Sequence, residues 1–308
     1  MSWDRDSLWA KACVYIERAF EESKEDPLFG LWAALGLELL ARSAVAHVSP
    51  TLLAEADREH RYLLHALGKG SERVPKKSLS SVQVLQLCST LFDEFSDEEK
   101  KTCTAIINRR NEELHSGTCA FEEYPSSQWL AGFYRACKAL CDCQGKAFKD
   151  LFGKEEAENA EQLLAEKRTE VKGSVESKIA AHKKVFKGKN MEDQEEAAKT
   201  AEKKARELSW QGHHKATCPA CGSSASISGN AYGQDQVSHE EGEVVVRQPV
   251  SPHGFQCSAC GLNLSSYAEL EVAGMGGRYT RTSTYSPEEY FGLVDPNSFE
   301  PDLEYDNE

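Results

Sequence analysis

The sequence predicts a mainly α protein in four parts: an N-terminal antiparallel helical bundle over residues 1–152, a charged helical arm over 153–210, a small β domain over 211–285 and an acidic tail over 286–308. Three observations carry this. Capped segments with apolar residues at helical spacing succeed one another through the first half. The next stretch turns rich in Glu, Lys and Ala, with only a sparse apolar stripe. From Gly212 short strand-like runs and turns take over, interrupted by paired cysteines. A chain of 308 residues with 40% apolar content can bury cores of this number.

In the bundle, DSLWAKACVYIERAF puts Leu8, Ala12 or Cys13, Tyr15, Ile16, Ala19 and Phe20 on one stripe. DPLFGLWAALGLELLARSAVAHV opens with Asp26 as cap and Pro27 in the first turn, and its near-continuous apolar content makes it the central helix. SPTLLAEADREHRYLLHALG repeats that start at Ser49 and Pro50 and reads as a helix ending at Gly68. A basic loop, KGSERVPKK, follows, then a shorter helix in SLSSVQVLQLCSTLF. Ser96 and Glu99 form a capping box for the next helix, which ends at NRRNEELHSG. SSQWLAGFYRACKALCDCQGKAFKDLF closes the bundle. In the arm, Leu164, Val171, Val175, Ile179 and Phe186 form the sparse stripe, and KGKN at 187–190 predicts a helical hairpin serving as a solvated spacer.

The charge is unevenly spread. Residues 1–152 carry 19 Lys/Arg against 23 Asp/Glu, residues 153–210 carry 13 against 13, and residues 211–308 carry 4 against 14. No part is a general nucleic-acid sponge, because phosphate binding needs cations, so any such contact is a local patch. No apolar run approaches the ~18 residues of a membrane span. MSWDRDSLW is charged from residue 4 and does not read as a signal peptide. Eleven cysteines without such a signal point to a reducing, cytoplasmic setting.

Four of those cysteines form two knuckles, CPACG with Cys218 and Cys221, and CSACG with Cys257 and Cys260. Each two-residue spacer lets two thiolates wrap one ion, and four soft thiolates in a tetrahedron suit zinc. With EVVVRQ and LNLSSYAELEV read as strands, 211–285 becomes a zinc ribbon whose Zn2+ is structural, since no coordination position stays open for water. His239 and His253 read as strand or loop residues. The other cysteines, with Cys137, Cys141 and Cys143 on one helix, read as free core thiols.

The end of the capping-box helix gathers Arg109, Arg110, Asn111 and His115. Asn111 and His115 share a face, with Arg110 roughly 140° around from His115 and long enough to swing toward it. The helix dipole favours a charged imidazole in this last turn. A guanidinium, a titratable His and an amide suit metal-free RNA cleavage by the RNA's own 2′-OH. Arg followed loosely by His recurs by chance, as in Arg42/His47 or Arg247/His253. Demanding Asn directly after Arg and His five residues on lowers the chance expectation to about 0.01, and only Arg110-Asn111-x-x-x-His115 passes. The bland reading has His115 capping carbonyls and Arg110 paired with Glu112 or Glu113. Glu38, a costly carboxylate in the apolar helix, needs a partner, with Arg109 or Arg110 the natural candidate.

At Arg110, Asn111 and His115 the chain resembles the HEPN superfamily, whose R-polar-x3-H motif they match, and Glu38 matches that family's habit of an acidic residue in an early helix. The resemblance covers roughly the first half, leaving the arm and the ribbon outside it. It implies a homodimer with motifs facing across the interface. It also implies a metal-independent endoribonuclease of toxin, abortive-infection or antiviral defence systems. In that reading His115 is general acid or base, Arg110 stabilises the transition state, Asn111 orients the phosphate or His115, and Glu38 holds an arginine. Arg109 and the loop residues Arg73, Lys76 and Lys77 hold RNA phosphates. The rivals are a non-catalytic dimer whose ribbon binds a protein partner, and a nucleic-acid-binding regulator that reads with the ribbon. A further expectation is that the acidic C-terminal third, with Tyr290, Phe291, Phe299 and Tyr305 as anchors, folds back over the basic motif and restrains it until a partner binds the ribbon.

Overall fold

A computed structural model describes residues 3–71, 73 and 76–293. Phe299, Tyr305 and most of the acidic tail lie outside the described residues. The protein is mostly helical, with an antiparallel sheet in its C-terminal third.

Helix α1 (Arg5–Glu21) is capped by Asp4 and buries Leu8, Ala12, Ile16 and Ala19. Helix α2 (Pro27–Val48) starts on the Asp26 cap with Pro27 in its first turn. It packs against α1 and against three later helices, α4 (Ser81–Leu91), α5 (Asp97–His115) and α6 (Ser126–Asp142). Its small residues permit this closeness: a Cβ on Gly36 would lie 2.6 Å from Ile16 Cδ1, and one on Gly30 would strike the Phe121 ring. With a mean hydropathy of 1.5, α2 is long and apolar enough to cross a membrane, against the expectation that no run comes close. Its apolar window is 61% buried within the protein, as befits the centre of a bundle.

The helix expected from Ser49 to Gly68 is broken. Pro50–Leu53 forms one 3-10 turn, and only Arg61–Ala66 (α3) is helical. Between them, AEADREH offers no large apolar side chain to bury, so nothing holds a helix against the core. Ser96 and Glu99 form the expected capping box at the start of α5. Residues 126–152 are two helices rather than one, separated by a turn before α7 (Phe148–Lys187).

Helix α7 contains a kink at Gly153, where φ of 74° and ψ of 172° are open to glycine and little else. The arm is no solvated spacer. Its Ala157 and Ala160 belong to the bundle core, with Phe148 and Leu151 before the kink, while Val175 and Phe186 belong to the core of the C-terminal region. Val171 and Ile179 pack on the second core and Leu164 on the first. The expected turn falls at 188–190, and α8 (Met191–Trp210) folds back to add Ala201 to the second core.

The sheet is built on β4 (Glu243–Gln256). Its first half pairs with β3 (Gln236–Glu240) and with β6 (Tyr279–Tyr285); its second half pairs with β2 (Ser224–Ala231) and with β5 (Asn263–Leu264). Strand β1 (His214–Thr217) edges β2. EVVVRQ lies in β4 as expected. LNLSSYAELEV does not form a strand: beyond β5 it becomes helix α9 (Tyr267–Val272), capped by Ser266, which accepts from Glu269 N–H at 3.2 Å. Within the expected tail, Pro287–Phe291 forms α10 and packs on β4 and β6, with the Phe291 ring stacked on His239.

The C-terminal region docks on the start of α5. Asn230 donates to Asp97 at 3.0 Å, and Arg278 donates to the Asp93 carbonyl at 3.0 Å and pairs with its carboxylate. His115 lies at the other end of α5, about 27 Å away along a helix of this length. These contacts of the C-terminal third lie at the opposite end of α5 from the motif, and the restraint expected of the acidic tail falls mostly on residues outside those described.

Candidate functional site

The motif helix brings its arginines to different neighbours. Arg110 Nη2 pairs with Glu38 Oε2 at 2.6 Å and donates to Ser81 Oγ at 3.4 Å. Arg109, one residue and about 100° away, pairs with Glu112 at 2.8 Å and lies over the Tyr124 ring. The bland alternative for Arg110 is thus corrected: Glu112 takes Arg109, and Glu113 accepts from Ala120 N–H at 2.6 Å. Of the two candidates for Glu38, Arg110 is its partner.

Sequence reasoning missed a second partner. Arg42, one turn after Glu38 on α2, donates to Glu38 Oε1 through Nε and Nη2 at 3.1 and 2.9 Å. It also donates to Ser78 Oγ and to the Leu79 carbonyl, each at 3.0 Å. A Glu and an Arg four apart inside an apolar helix were the available signal. Burial works to raise the Glu38 carboxyl, but Arg42 and Arg110 outweigh it and hold it below its ordinary value of 4.5. It is ionised at neutral pH.

Asn111 and His115 are exposed on the last turns of α5. Among the described residues the His115 ring makes no hydrogen bond, and it does not cap the helix. Ser116 does so, its N–H and Oγ both donating to the Glu112 carbonyl at 2.9 and 2.7 Å. Val82 and Leu114, near Arg110 in the chain or through Ser81, are exposed apolar residues. In the basic loop, Arg73 and Lys76 are exposed, while Lys77 pairs with Glu55 at 2.9 Å.

The four knuckle cysteines meet. The sulfurs of Cys218, Cys221, Cys257 and Cys260 all lie within 4.8 Å of one another, with Cys218–Cys260 and Cys221–Cys257 at 3.6 Å. Both knuckles close alike: Gly222 N–H donates to the Cys218 carbonyl and Gly261 N–H to the Cys257 carbonyl, each at 2.9 Å and each glycine in the left-handed region. This cluster could hold a metal ion. His182 of α7 contacts the Cys260 carbonyl through Nδ1 at 2.7 Å, tying the arm to the second knuckle. His239 and His253 lie in strands β3 and β4, outside the cluster. Cys137 and Cys141 are buried in the bundle, and burial raises their thiols, which makes them poor nucleophiles.

Searches against protein-family models, curated proteins and solved structures find no match to this chain.

Proposed function

We propose that the protein is a metal-independent endoribonuclease of HEPN type, acting as a homodimer, with a structural zinc ribbon at its C-terminus. The observation that carries the reading is the Glu38 clamp on Arg110 at the end of α5, beside an exposed Asn111 and an exposed, unengaged His115. The RNA 2′-OH attacks the adjacent phosphorus, the bond to the 5′-oxygen breaks, and a 2′,3′-cyclic phosphate and a 5′-OH result. His115 takes the 2′-OH proton or gives one to the 5′-oxygen, Arg110 offsets charge on the phosphorane, and Asn111 orients the phosphate. Arg109, Arg73, Lys76 and Lys77 are the phosphate contacts outside that centre. A second chain supplies the other proton-transfer group, and exposed Val82 and Leu114 beside the motif favour such an apposition. We further propose a role in toxin or antiviral defence, which the resemblance implies, and a cytoplasmic setting.

The cysteine cluster suits zinc. A tetrahedron with metal–sulfur arms of ~2.3 Å has edges of about 3.8 Å, and two of the sulfur pairs stand at 3.6 Å. Four protein thiolates leave the ion a structural role.

One observation favours the rival, a non-catalytic dimer whose ribbon binds a protein. The Arg110 side chain is only 13% exposed, as a purely structural link between α2 and α5 would be. The test is to incubate purified protein with total RNA and EDTA, wild type against His115→Ala, and to read the product ends. Cyclic phosphates from wild type alone support the nuclease; no cleavage by either supports the rival.

A further inference from the structure

Two guanidiniums share one carboxylate at the motif. Glu38 accepts from Arg42 on Oε1 and from Arg110 on Oε2. A Glu38–Arg110 pair by itself would be neutral and would give a phosphodiester little reason to approach. The second guanidinium leaves the cluster with a net single positive charge. The three side chains are 13–16% exposed, so water screens that charge only in part. Nη2 of Arg110 serves Glu38 and Ser81, and Nε is buried with no hydrogen-bond partner among the described residues, so the guanidinium acts on a phosphate through its charge rather than through Nε.

Arg42 also grips the chain that follows the basic loop. Ser78 and Leu79 are its acceptors, and the same short stretch is tied to the 3-10 turn by Leu79 N–H on the Leu53 carbonyl at 2.9 Å and by a bridge from Ala54 to Ser78. Lys76 and Lys77 immediately precede these anchors, and Ser81, the hydroxyl partner of Arg110, comes two residues after them. One side chain thus joins the carboxylate that orients Arg110 to the segment that carries the loop cations.

We infer that Arg42 is a positioning residue for an RNA phosphodiester at Arg110: it neutralises Glu38 so that the charge of Arg110 is left for the phosphate, and it fixes the basic loop beside that phosphate. The inference rests on the nuclease reading for the class of ligand.

The test compares wild type with Arg42→Gln, Arg42→Lys and the double variant Glu38→Gln/Arg42→Gln. Binding is read with a fluorescent single-stranded RNA carrying 2′-O-methyl groups, which cannot be cleaved, at several salt concentrations; melting curves accompany each variant. Arg42→Gln is expected to weaken binding about tenfold and to lower the salt slope by about one. The double variant restores the net charge but not the grip on Ser78 and Leu79, and is expected to bind more tightly than Arg42→Gln and less tightly than wild type. Arg42→Lys keeps the charge, loses the forked grip and falls between; if Arg42→Gln is unfolded at the assay temperature, the lysine variant decides the matter. Arg42→Gln binding as wild type does, or a folded double variant binding no better than the single, overturns the inference. If wild type binds this RNA yet leaves the unmodified RNA uncut, the nuclease reading falls while the Arg42 comparison still decides. If wild type neither binds nor cuts RNA, both fall.

Discussion

Burial and two arginines pull the Glu38 carboxyl in opposite directions, and the arginines prevail. Its proton is therefore held more weakly in the folded protein than in the unfolded chain. A carboxyl lowered in this way contributes stability fully above its ordinary value of 4.5, and that contribution is lost as pH falls through the lowered folded value. Replacing it with Gln leaves two half-buried cations without their anion, at a cost of about 3–5 kcal/mol near neutral pH. The difference in melting temperature between wild type and Glu38→Gln is expected to hold steady down to about pH 5 and to shrink below it. A difference that persists unchanged at about pH 3 would mean that Glu38 does not titrate against these arginines. His115 behaves differently, because it is exposed and its ring makes no hydrogen bond among the described residues. His115→Ala is expected to shift stability by less than about 0.5 kcal/mol while removing RNA cleavage; a large fall in melting temperature would return His115 to a structural role.

At the scale of elements, Gly153 is where the bundle hands over to the long helix. Its backbone sits in a region that side chains avoid, although no atom lies where a Cβ would go. Gly153→Ala is therefore expected to destabilise by about 1–3 kcal/mol through the backbone alone, measured by denaturant unfolding; a neutral result would show that the kink relaxes freely. This joint was half legible. The change in composition falls at the kink, yet Ala157 and Ala160 beyond it still belong to the bundle core. Caps were the most legible signals: Asp26 with Pro27, and Ser96 with Glu99, start helices where expected because their hydrogen bonds are local. Pro50 after Ser49 looked the same but opened only a 3-10 turn, since the following residues had nothing to bury. In SSYAELEV the Ser266–Glu269 cap outweighed an alternation that read as strand. The spacing of Val171, Val175, Ile179 and Phe186 was plain, but their partners lie in α8 and further on across the knuckles, so which surface they cover was not. That Glu38 needs an arginine was legible, with Arg109 and Arg110 as the candidates, and the structure gives it Arg110. Arg42 was not, because its role depends on where Ser78 and Leu79 come to rest.

The whole molecule has two cores and one helix common to both. Phe148 through Ala160 of α7 lie in the bundle; Val175 and Phe186 lie among the residues that surround the four cysteines. Beyond Gly153 this helix extends for about 50 Å, long enough to serve both. The second core is small, and its centre includes Cys218, Cys257 and Cys260 themselves with Phe255, Leu262 and Leu264. On the proposed zinc reading the ion is what holds these four sulfurs together, so removing it should loosen that whole core. Chelation is then expected to act in a graded way along the chain. Hydrogen exchange should rise through β1 to α9, and also in α8 and the end of α7, because Phe186, Ala201 and the His182 contact lose what they pack on. The bundle, with its own core, should keep its protection, and so should the Glu38–Arg42–Arg110 cluster at the far end of α5. RNA cleavage by a chelated sample should accordingly persist. Unchanged exchange in α8 and the end of α7 after the metal is gone would mean that the arm stands by itself. Loss of protection in the bundle would mean that the contacts of Asn230 and Arg278 at the start of α5 couple the two cores, and that the metal supports the motif helix from its opposite end.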